Sequence, residues 1–244
     1  MRLNLLHRLA TASVFALMAA GAAQAAPQIL QQPALSRDLI AFTYGGDIWT
    51  VARTGGRATR LTTGVGAESG PMFSPDGQTL AFTGDYDGNV DVFTVPVSGG
   101  VPKRITWHPA PDVATGWSPD GTKVVFRSDR AAGNRYTQLF QAPVAGGQAS
   151  VLPLPMAHAG QISPDGGSIA YNPLAPGSGF EQNRYVSWGN YRGGRVSTIW
   201  LTSLPGLDSQ QIPPGRGVGL LAGLPGRQGL LPVEPERPGL DLRL

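Results

Sequence analysis

The chain has 244 residues, a formal net charge of +3 and no cysteine. The lack of cysteine excludes disulfides, thiolate metal sites, a cysteine nucleophile and lipid attachment through an N-terminal cysteine. Charged residues make up 14% of the chain and the arginines are scattered, which argues against a nucleic-acid-binding surface. With 34 glycines, 22 prolines and no long segment of 3.6-residue periodicity, the composition favours an all-β chain dense in turns.

The start of the chain has the pattern of a secretory signal peptide. Basic residues precede an apolar stretch from residue 9 to 20, and a small-x-small cleavage signal ends at Ala25. The apolar stretch is shorter than the ~20 residues needed to cross a bilayer. We therefore expect residues 1–25 to be a cleaved signal peptide and residues 26–34 to lead into the first domain. The mature protein is then periplasmic or secreted, with no membrane span.

The tetrapeptide Ser-Pro-Asp-Gly occurs three times, at residues 74–77, 118–121 and 163–166. Proline sets φ at the second position of a tight turn, aspartate caps the turn with its side chain, and glycine takes the positive-φ position that follows. A period of 44 to 45 residues is typical of a repeat architecture in which each repeat is one supersecondary unit.

Each repeat predicts one four-stranded blade. A short apolar run follows every tetrapeptide, a second strand carries a central aromatic residue, and a Gly-Gly pair leads to a further strand in three repeats. The central aromatics, which we expect to be buried between blades, are Trp49, Phe93, Phe140 and Trp200. The pattern predicts an all-β partial β-propeller of about four blades over residues 35–213. The first turn, at residues 35–38, is degenerate, and an insertion from Asn172 to Val196 enlarges the fourth blade.

Several motifs, taken in order, resemble the N-terminal six-bladed propeller of bacterial tricorn-type proteases. They include Asp47-Ile48-Trp49, Phe73-Ser74-Pro75-Asp76-Gly77, Tyr86-Asp87-Gly88-Asn89, Thr106-Trp107-His108-Pro109 and Tyr191-Arg192-Gly193-Gly194-Arg195. The resemblance covers roughly residues 35–213 and implies four of six blades. It implies a noncatalytic segment of an exported serine protease that gates or binds peptides or unfolded polypeptide. Such proteases carry their peptidase site in later domains, so the chain is expected to be inactive alone, and the full-length protein is a possible homo-oligomer.

Two other interpretations use the same turn motif. The chain could be a free-standing periplasmic protein-interaction propeller of the Tol-system type, or the propeller of a prolyl-oligopeptidase-type enzyme. The Tol component normally has an α/β domain before its blades, which favours the tricorn-type interpretation. From residue 214 to 244 the blade pattern stops, and we expect an aberrant or disordered tail, as a truncated or frameshifted gene would produce.

Candidate site residues are few, and we predict no catalytic, cofactor or metal site. Asp85, Asp87, Asn89 and Asp91 could bind Ca²⁺ through oxygen ligands, but Asp87-Gly88 between two strands favours a hairpin turn. His108 and His158 have no partner pattern and are interpreted as loop residues.

The insertion contains the predicted peptide-binding residues. Tyr191, Arg192 and Arg195 could bind a peptide carboxylate, since arginine offers a bidentate donor fork. An inter-blade salt bridge or a solvated loop is the competing interpretation.

Overall fold

The structure, a computed structural model, describes residues 29–131, 136–174 and 198–212. These residues form sixteen β-strands and no helix, arranged as four antiparallel sheets of four strands. The strands of every sheet pair in chain order, as in the blades of a β-propeller. The predicted all-β partial propeller is therefore confirmed. The predicted signal peptide and the tail at 214–244 lie outside the described residues.

Each blade is a meander of four strands. Blade 1 contains β1 (Gln31–Leu35), β2 (Leu39–Tyr44), β3 (Asp47–Ala52) and β4 (Thr59–Arg60). Blade 2 contains β5 (Ala67–Phe73), β6 (Thr79–Tyr86), β7 (Asn89–Pro96) and β8 (Lys103–Arg104). Blade 3 contains β9 (Asp112–Trp117), β10 (Lys123–Ser128), β11 (Gln138–Pro143) and β12 (Ser150–Val151). Blade 4 contains β13 (Ala159–Ile162), β14 (Ser168–Asn172), β15 (Ile199–Ser203) and β16 (Ser209–Ile212). The first strand starts at Gln31, so blade 1 begins a few residues before the predicted boundary at residue 35.

The Ser-Pro-Asp-Gly turns join the first and second strands of blades 2, 3 and 4. Gly77, Gly121 and Gly166 have φ angles of 72°, 70° and 73°, which confirms the predicted left-handed backbone at these positions. In each turn the aspartate carboxylate accepts hydrogen bonds from the serine hydroxyl and from a backbone N–H two residues on. The serine hydroxyl bond, more than any other contact, lowers the pKa of Asp120 to about 2. In blade 1 Ser36 alone keeps part of this pattern, because its hydroxyl accepts the N–H of Leu39 at 3.0 Å.

Every blade carries one aromatic pair across its second and third strands. The four pairs, opposite each other in the register, are Phe42–Trp49, Phe82–Phe93, Phe126–Phe140 and Tyr171–Trp200. In blades 2 and 3 the paired rings are stacked, with centroids 5.7 and 5.6 Å apart. Aromatic cross-strand pairs of this kind stabilise a sheet face beyond the apolar area that they bury.

These aromatic pairs face the preceding blade. In each of three clusters the pair packs with two small or aliphatic residues of the blade before it. These receiving residues are Ala41 and Ile48 in blade 1, Ala81 and Val92 in blade 2, and Val125 and Leu139 in blade 3. Successive blades are thus joined by one repeated contact. Among the described residues no comparable cluster joins blade 4 to blade 1.

The four central aromatics differ in burial. Phe93 and Phe140 are each only 7% exposed, as predicted. Trp49 and Trp200 are half-buried, so the prediction that all four rings are buried is wrong for these two. Trp49 lies on the face of blade 1 against which no described blade packs. Trp200 contacts the margin of the third cluster.

We predict that replacing these aromatics destabilises the protein in proportion to their burial. Phe93→Ala and Phe140→Ala should each lower the free energy of unfolding by about 3 to 5 kcal/mol, because each empties a packed site between two blades. Trp49→Ala should cost clearly less, although tryptophan is larger than phenylalanine, because its ring is already partly in water. Urea unfolding of the three variants measures the difference. A Trp49→Ala cost equal to that of Phe93→Ala would contradict the packing direction described above.

Candidate functional site

The two ends of each blade carry different connections, because its strands alternate in direction. One end carries the Ser-Pro-Asp-Gly turns and the Gly-Gly turns. The other end carries the hairpins between second and third strands and the linkers from one blade to the next; we call this end the linker face. Its described segments are residues 45–46, 61–66, 87–88, 105–111, 129–131, 136–137, 152–158, 173–174 and 198.

A buried polar network crosses from blade 1 to blade 2 at the linker face. The hydroxyl of Thr62 accepts the backbone N–H of Ile48 at 3.0 Å and donates to the carboxylate of Glu68. Glu68, only 1% exposed, also accepts the N–H of Ile48 at 3.2 Å and the hydroxyl of Tyr86. Burial, together with the neighbouring Glu68 carboxylate, raises the pKa of the Tyr86 phenol above its ordinary value. The phenol is therefore a hydrogen-bond donor that fixes the buried carboxylate.

A second set of buried polar groups lies at the boundary between blades 2 and 3. The hydroxyl of Thr106 accepts the N–H of Val92 at 2.9 Å and donates to Asp91 at 3.0 Å. Asp91 forms a salt bridge with Arg104, and the fully buried Asp112 forms one with Arg130. The Oδ1 atom of Asp112 has no hydrogen-bond partner in the described part of the chain.

The Asp112 carboxyl responds to this environment. Burial raises its pKa, and the opposing contributions of Ser128 and Arg130 do not cancel that effect. Burial disfavours the charged form of a carboxyl group. The charged form of this buried acid is thus favoured by Ser128 and by the ion pair with Arg130, and opposed by burial.

The two networks repeat with the period of the blades. Four positions recur 44 residues apart, namely Asp47 and Asp91, Arg60 and Arg104, Thr62 and Thr106, and Glu68 and Asp112. Sequence reasoning missed this pattern, although the same 44-residue spacing that revealed the turns could have found it. At the boundary between blades 3 and 4 the linker residues Leu152, Leu154 and Ala157 belong to a buried apolar cluster.

One large aromatic side chain stands out of the linker face. Trp107 is 72% exposed, and the guanidinium carbon of Arg104 lies 4.3 Å from its ring centroid. Arg104 is held in place by its salt bridge to Asp91 and by a 2.9 Å hydrogen bond that its Nε donates to the carbonyl of Thr106. The next residue, His108, is tied down through its carbonyl, which accepts the side-chain amide of Asn89 at 3.0 Å. The guanidinium that contacts the ring and the backbone next to Trp107 are therefore both fixed by hydrogen bonds.

The two histidines of the described region lie at different blade boundaries. The Nδ1 atom of His108 accepts the backbone N–H of Ala110 at 3.0 Å, so in the neutral ring Nε2 carries the proton. His158 is half-buried between blades 3 and 4, and its backbone N–H donates to the carbonyl of Asn172 at 2.8 Å. Burial, with the positive charge of Arg127, lowers the pKa of His158 to about 4. No serine hydroxyl of the described residues is hydrogen-bonded to either imidazole.

The acidic stretch from Asp85 to Asp91 forms a hairpin. Asp87 and Gly88 have φ angles of 56° and 77° and connect β6 to β7, which confirms the predicted turn. Asp91 lies in the buried network, whereas Asp85 and Asp87 are exposed. No group of three potential metal ligands comes together in residues 29–131, 136–174 and 198–212.

The predicted peptide-binding residues belong to the connection between β14 and β15. Tyr191, Arg192 and Arg195 lie outside the described residues. The two ends of that connection are described, and the side-chain amide of Asn172 donates to the carbonyl of Thr198 at 2.8 Å. The connection therefore leaves and re-enters blade 4 at the linker face.

An open cavity of about 430 Å³ lies at the opposite end of blade 4. Its lining residues are Ser168, Leu201, Ser203, Asp208, Ser209 and Gln210. These lining residues include three serines and one carboxylate, that of Asp208, and no imidazole. Within the described ranges, no helix is long and apolar enough to cross a bilayer.

We predict that Thr106→Val destabilises the protein by about 1 to 3 kcal/mol, because it leaves the buried N–H of Val92 and one oxygen of Asp91 without their partner. Thr79→Val is the matched control, since it makes the same change at a strand position whose hydroxyl bonds to no described residue. Urea unfolding compares the two variants. Equal small effects would show that the Thr106 hydroxyl is not part of a stabilising network.

We predict that His158 makes the protein less stable in acid. Its pKa of about 4 in the folded state lies below the ordinary value of 6.5, so the unfolded chain binds a proton that the folded chain does not. The contribution of the neutral His158 to the free energy of unfolding is fully present above pH 6.5 and is lost as the pH falls towards 4. The difference in Tm between the wild type and His158→Gln should therefore shrink between pH 7 and pH 4.5. A constant difference across that range would contradict the lowered pKa.

Comparison with known proteins agrees with this architecture. The sequence model of a family described as "Tricorn protease N-terminal beta propeller domain" matches residues 27–218. Among solved structures, the tricorn protease superposes with a TM-score of 0.62 and 21% identity, over 77% of this chain and 18% of that chain. A putative TolB from Agrobacterium tumefaciens gives 0.61 and 20%, over 78% of this chain and 64% of that chain. TolB from Acinetobacter baumannii gives 0.54 and 21%, over 76% and 43%.

The structural similarities, all below 25% identity, support the fold alone. No curated protein matches the sequence. The chain spans less than two thirds of the length of each of these solved relatives. The family match extends over most of the chain and over all four blades described above. The chain therefore belongs to the family that carries the tricorn protease N-terminal β-propeller domain.

Proposed function

We propose that this chain is the noncatalytic propeller segment of an exported tricorn-type serine protease and that it binds or gates polypeptide substrates at its linker face. The predicted signal peptide supports export to the periplasm or outside the cell. Peptides or unfolded polypeptide are the partners, and residues 35–213 form the binding domain.

One observation carries the polypeptide role. The connection that contains Arg192 and Arg195 leaves and re-enters blade 4 at the linker face, where the inter-blade linkers also lie. Loops grouped on one end of a rigid β-scaffold are where propeller-like folds place binding residues. A guanidinium fork matches the two oxygens of a peptide carboxylate. Tyr191, Arg192 and Arg195 would thus recognise the C-terminal carboxylate of a peptide.

The alternative is a free-standing protein-interaction propeller of the Tol-system type. It is supported by the superposition of this chain on the putative TolB, with a TM-score of 0.61. The two functions differ in the sequence of the gene beyond codon 244. Coding sequence for a serine peptidase domain supports the protease segment, and unrelated sequence after a stop codon supports the interaction protein.

The binding proposal predicts a dependence on the peptide carboxylate. A fluorescein-labelled peptide with a free C-terminus should bind the full chain more tightly than the same peptide as its amide, and it should stay intact during the titration. Arg192→Ala/Arg195→Ala should weaken binding of the free acid by about tenfold or more, because a charge-assisted hydrogen bond contributes ~1.5 to 3 kcal/mol. Fluorescence anisotropy measures both affinities.

Arg53→Ala/Arg57→Ala is the matched control. It removes two positive charges from the connection between β3 and β4, at the end of blade 1 away from the linker face. Equal loss of affinity in both double variants would show only general charge attraction and would contradict the proposed site. Cleavage of the peptide that is abolished by His108→Ala would contradict the noncatalytic assignment.

A further inference from the structure

Trp107 occupies a position where the fold does not need a large aromatic residue. The linker residues Leu61, Ile105 and Leu152 each donate a backbone hydrogen bond to the third strand of their blade, which aligns the three linkers. Two residues later, blade 1 has the exposed Thr63, whereas blade 2 has Trp107 and blade 3 has the buried Leu154. A polar residue is thus compatible with an exposed conformation here. An indole left 72% in water forgoes much of the stabilisation that its burial would give.

The ring is nevertheless held in one place. Arg104 lies against one face of the indole and is itself fixed by Asp91 and by the carbonyl of Thr106. The cation on that face leaves the other face of the ring for a ligand. Interface aromatics that are already ordered lose little conformational entropy when they bind.

Two further apolar side chains are exposed on the linker face of the neighbouring blades. Val65 is fully exposed in the linker that precedes blade 2, and Tyr136, in the hairpin of blade 3, is 47% exposed. Packed sheets are about 10 Å apart, and an extended chain rises about 3.3 Å per residue. A polypeptide that crosses the blades in the polyproline II conformation, which has three residues per turn and rises about 3.1 Å per residue, would therefore place every third side chain on the same side and over a new blade.

The charge around Trp107 favours a basic ligand. The cations of Arg104 and Arg130 are neutralised by Asp91 and Asp112. Asp87 lies at the tip of the hairpin between β6 and β7, in which the side-chain amide of Asn89 donates to the carbonyl of His108, the residue after Trp107. Asp87 forms no ion pair with the described residues. The exposed carboxylate would thus complement a lysine or arginine of the ligand.

We propose that Trp107 is the anchor point at which the linker face binds an aromatic or large apolar side chain of an extended, basic polypeptide. The inference rests on the proposed function only in taking a polypeptide as the ligand. It concerns a side chain of that ligand, whereas the arginines of the insertion would bind its terminal carboxylate.

A peptide without a free carboxylate tests this site separately. The probe is fluorescein-Lys-Phe-Gly-Lys-Phe-Gly-Lys-amide, in which the two phenylalanines are three residues apart, and its control has serine in place of both. Anisotropy with the full chain should show binding of the phenylalanine peptide and at least tenfold weaker binding of the serine peptide. Trp107→Thr, which introduces the blade 1 residue, should weaken the phenylalanine peptide by at least tenfold. Trp107→Phe should restore most of the affinity.

Val101→Ala is the matched control, because it removes an exposed apolar side chain at the opposite end of blade 2 and should leave the affinity unchanged. Asp87→Asn should weaken binding severalfold at low salt and not at 1 M salt, where charges are screened. Equal affinity of Trp107→Thr and wild type would overturn the inference. Failure of the amide probe while the free-acid peptide binds would overturn it and leave the proposed function standing, and failure of both probes would overturn both.

Discussion

The packing of each blade's aromatic pair on the aliphatic pair of the preceding blade is the contact on which the structure depends. A single four-stranded sheet has two faces and cannot bury both within itself, so each blade needs a neighbour. The contact has a direction, since the aromatic rings of a blade pack towards the blade that precedes it in the chain and contact smaller residues there. Phe93 and Phe140, which pack on a preceding blade, are buried, whereas Trp49, at the start of the series, is half-buried.

The polar networks are placed by this packing and have a different role. A buried ion pair commonly contributes no more stability than well-packed apolar residues in its place. The aromatic contact, by contrast, recurs at all three boundaries between successive described blades. What the network between blades 2 and 3 does provide is a fixed Arg104, and with it a fixed orientation of the exposed Trp107.

The turns and the strand order could be predicted from sequence because they depend on local chemistry. Proline, aspartate and glycine determine the turn at Gly121 whatever packs around it, and Asp87-Gly88 defines its hairpin in the same way. The networks depend on contacts between blades, such as that of Tyr86 with Glu68, so their signal in the sequence is the 44-residue repeat of their residues and not a local turn motif. The exposure of Trp107 could not be predicted from sequence either, because whether a tryptophan in a linker is buried depends on which residues of other segments lie next to it.

The aromatic contact is expected to make neighbouring blades stabilise each other. Val92 of blade 2 and Phe140 of blade 3 belong to one buried cluster. A double-mutant cycle measures their coupling directly, by urea unfolding of Val92→Ala, Phe140→Ala and the double variant. We expect the double variant to be less destabilised than the sum of the single ones, by about 0.5 to 3 kcal/mol, as for residues that share one packed site. Additivity within roughly 0.3 to 0.5 kcal/mol would mean that the two residues act independently and would contradict a stabilising contact between the blades.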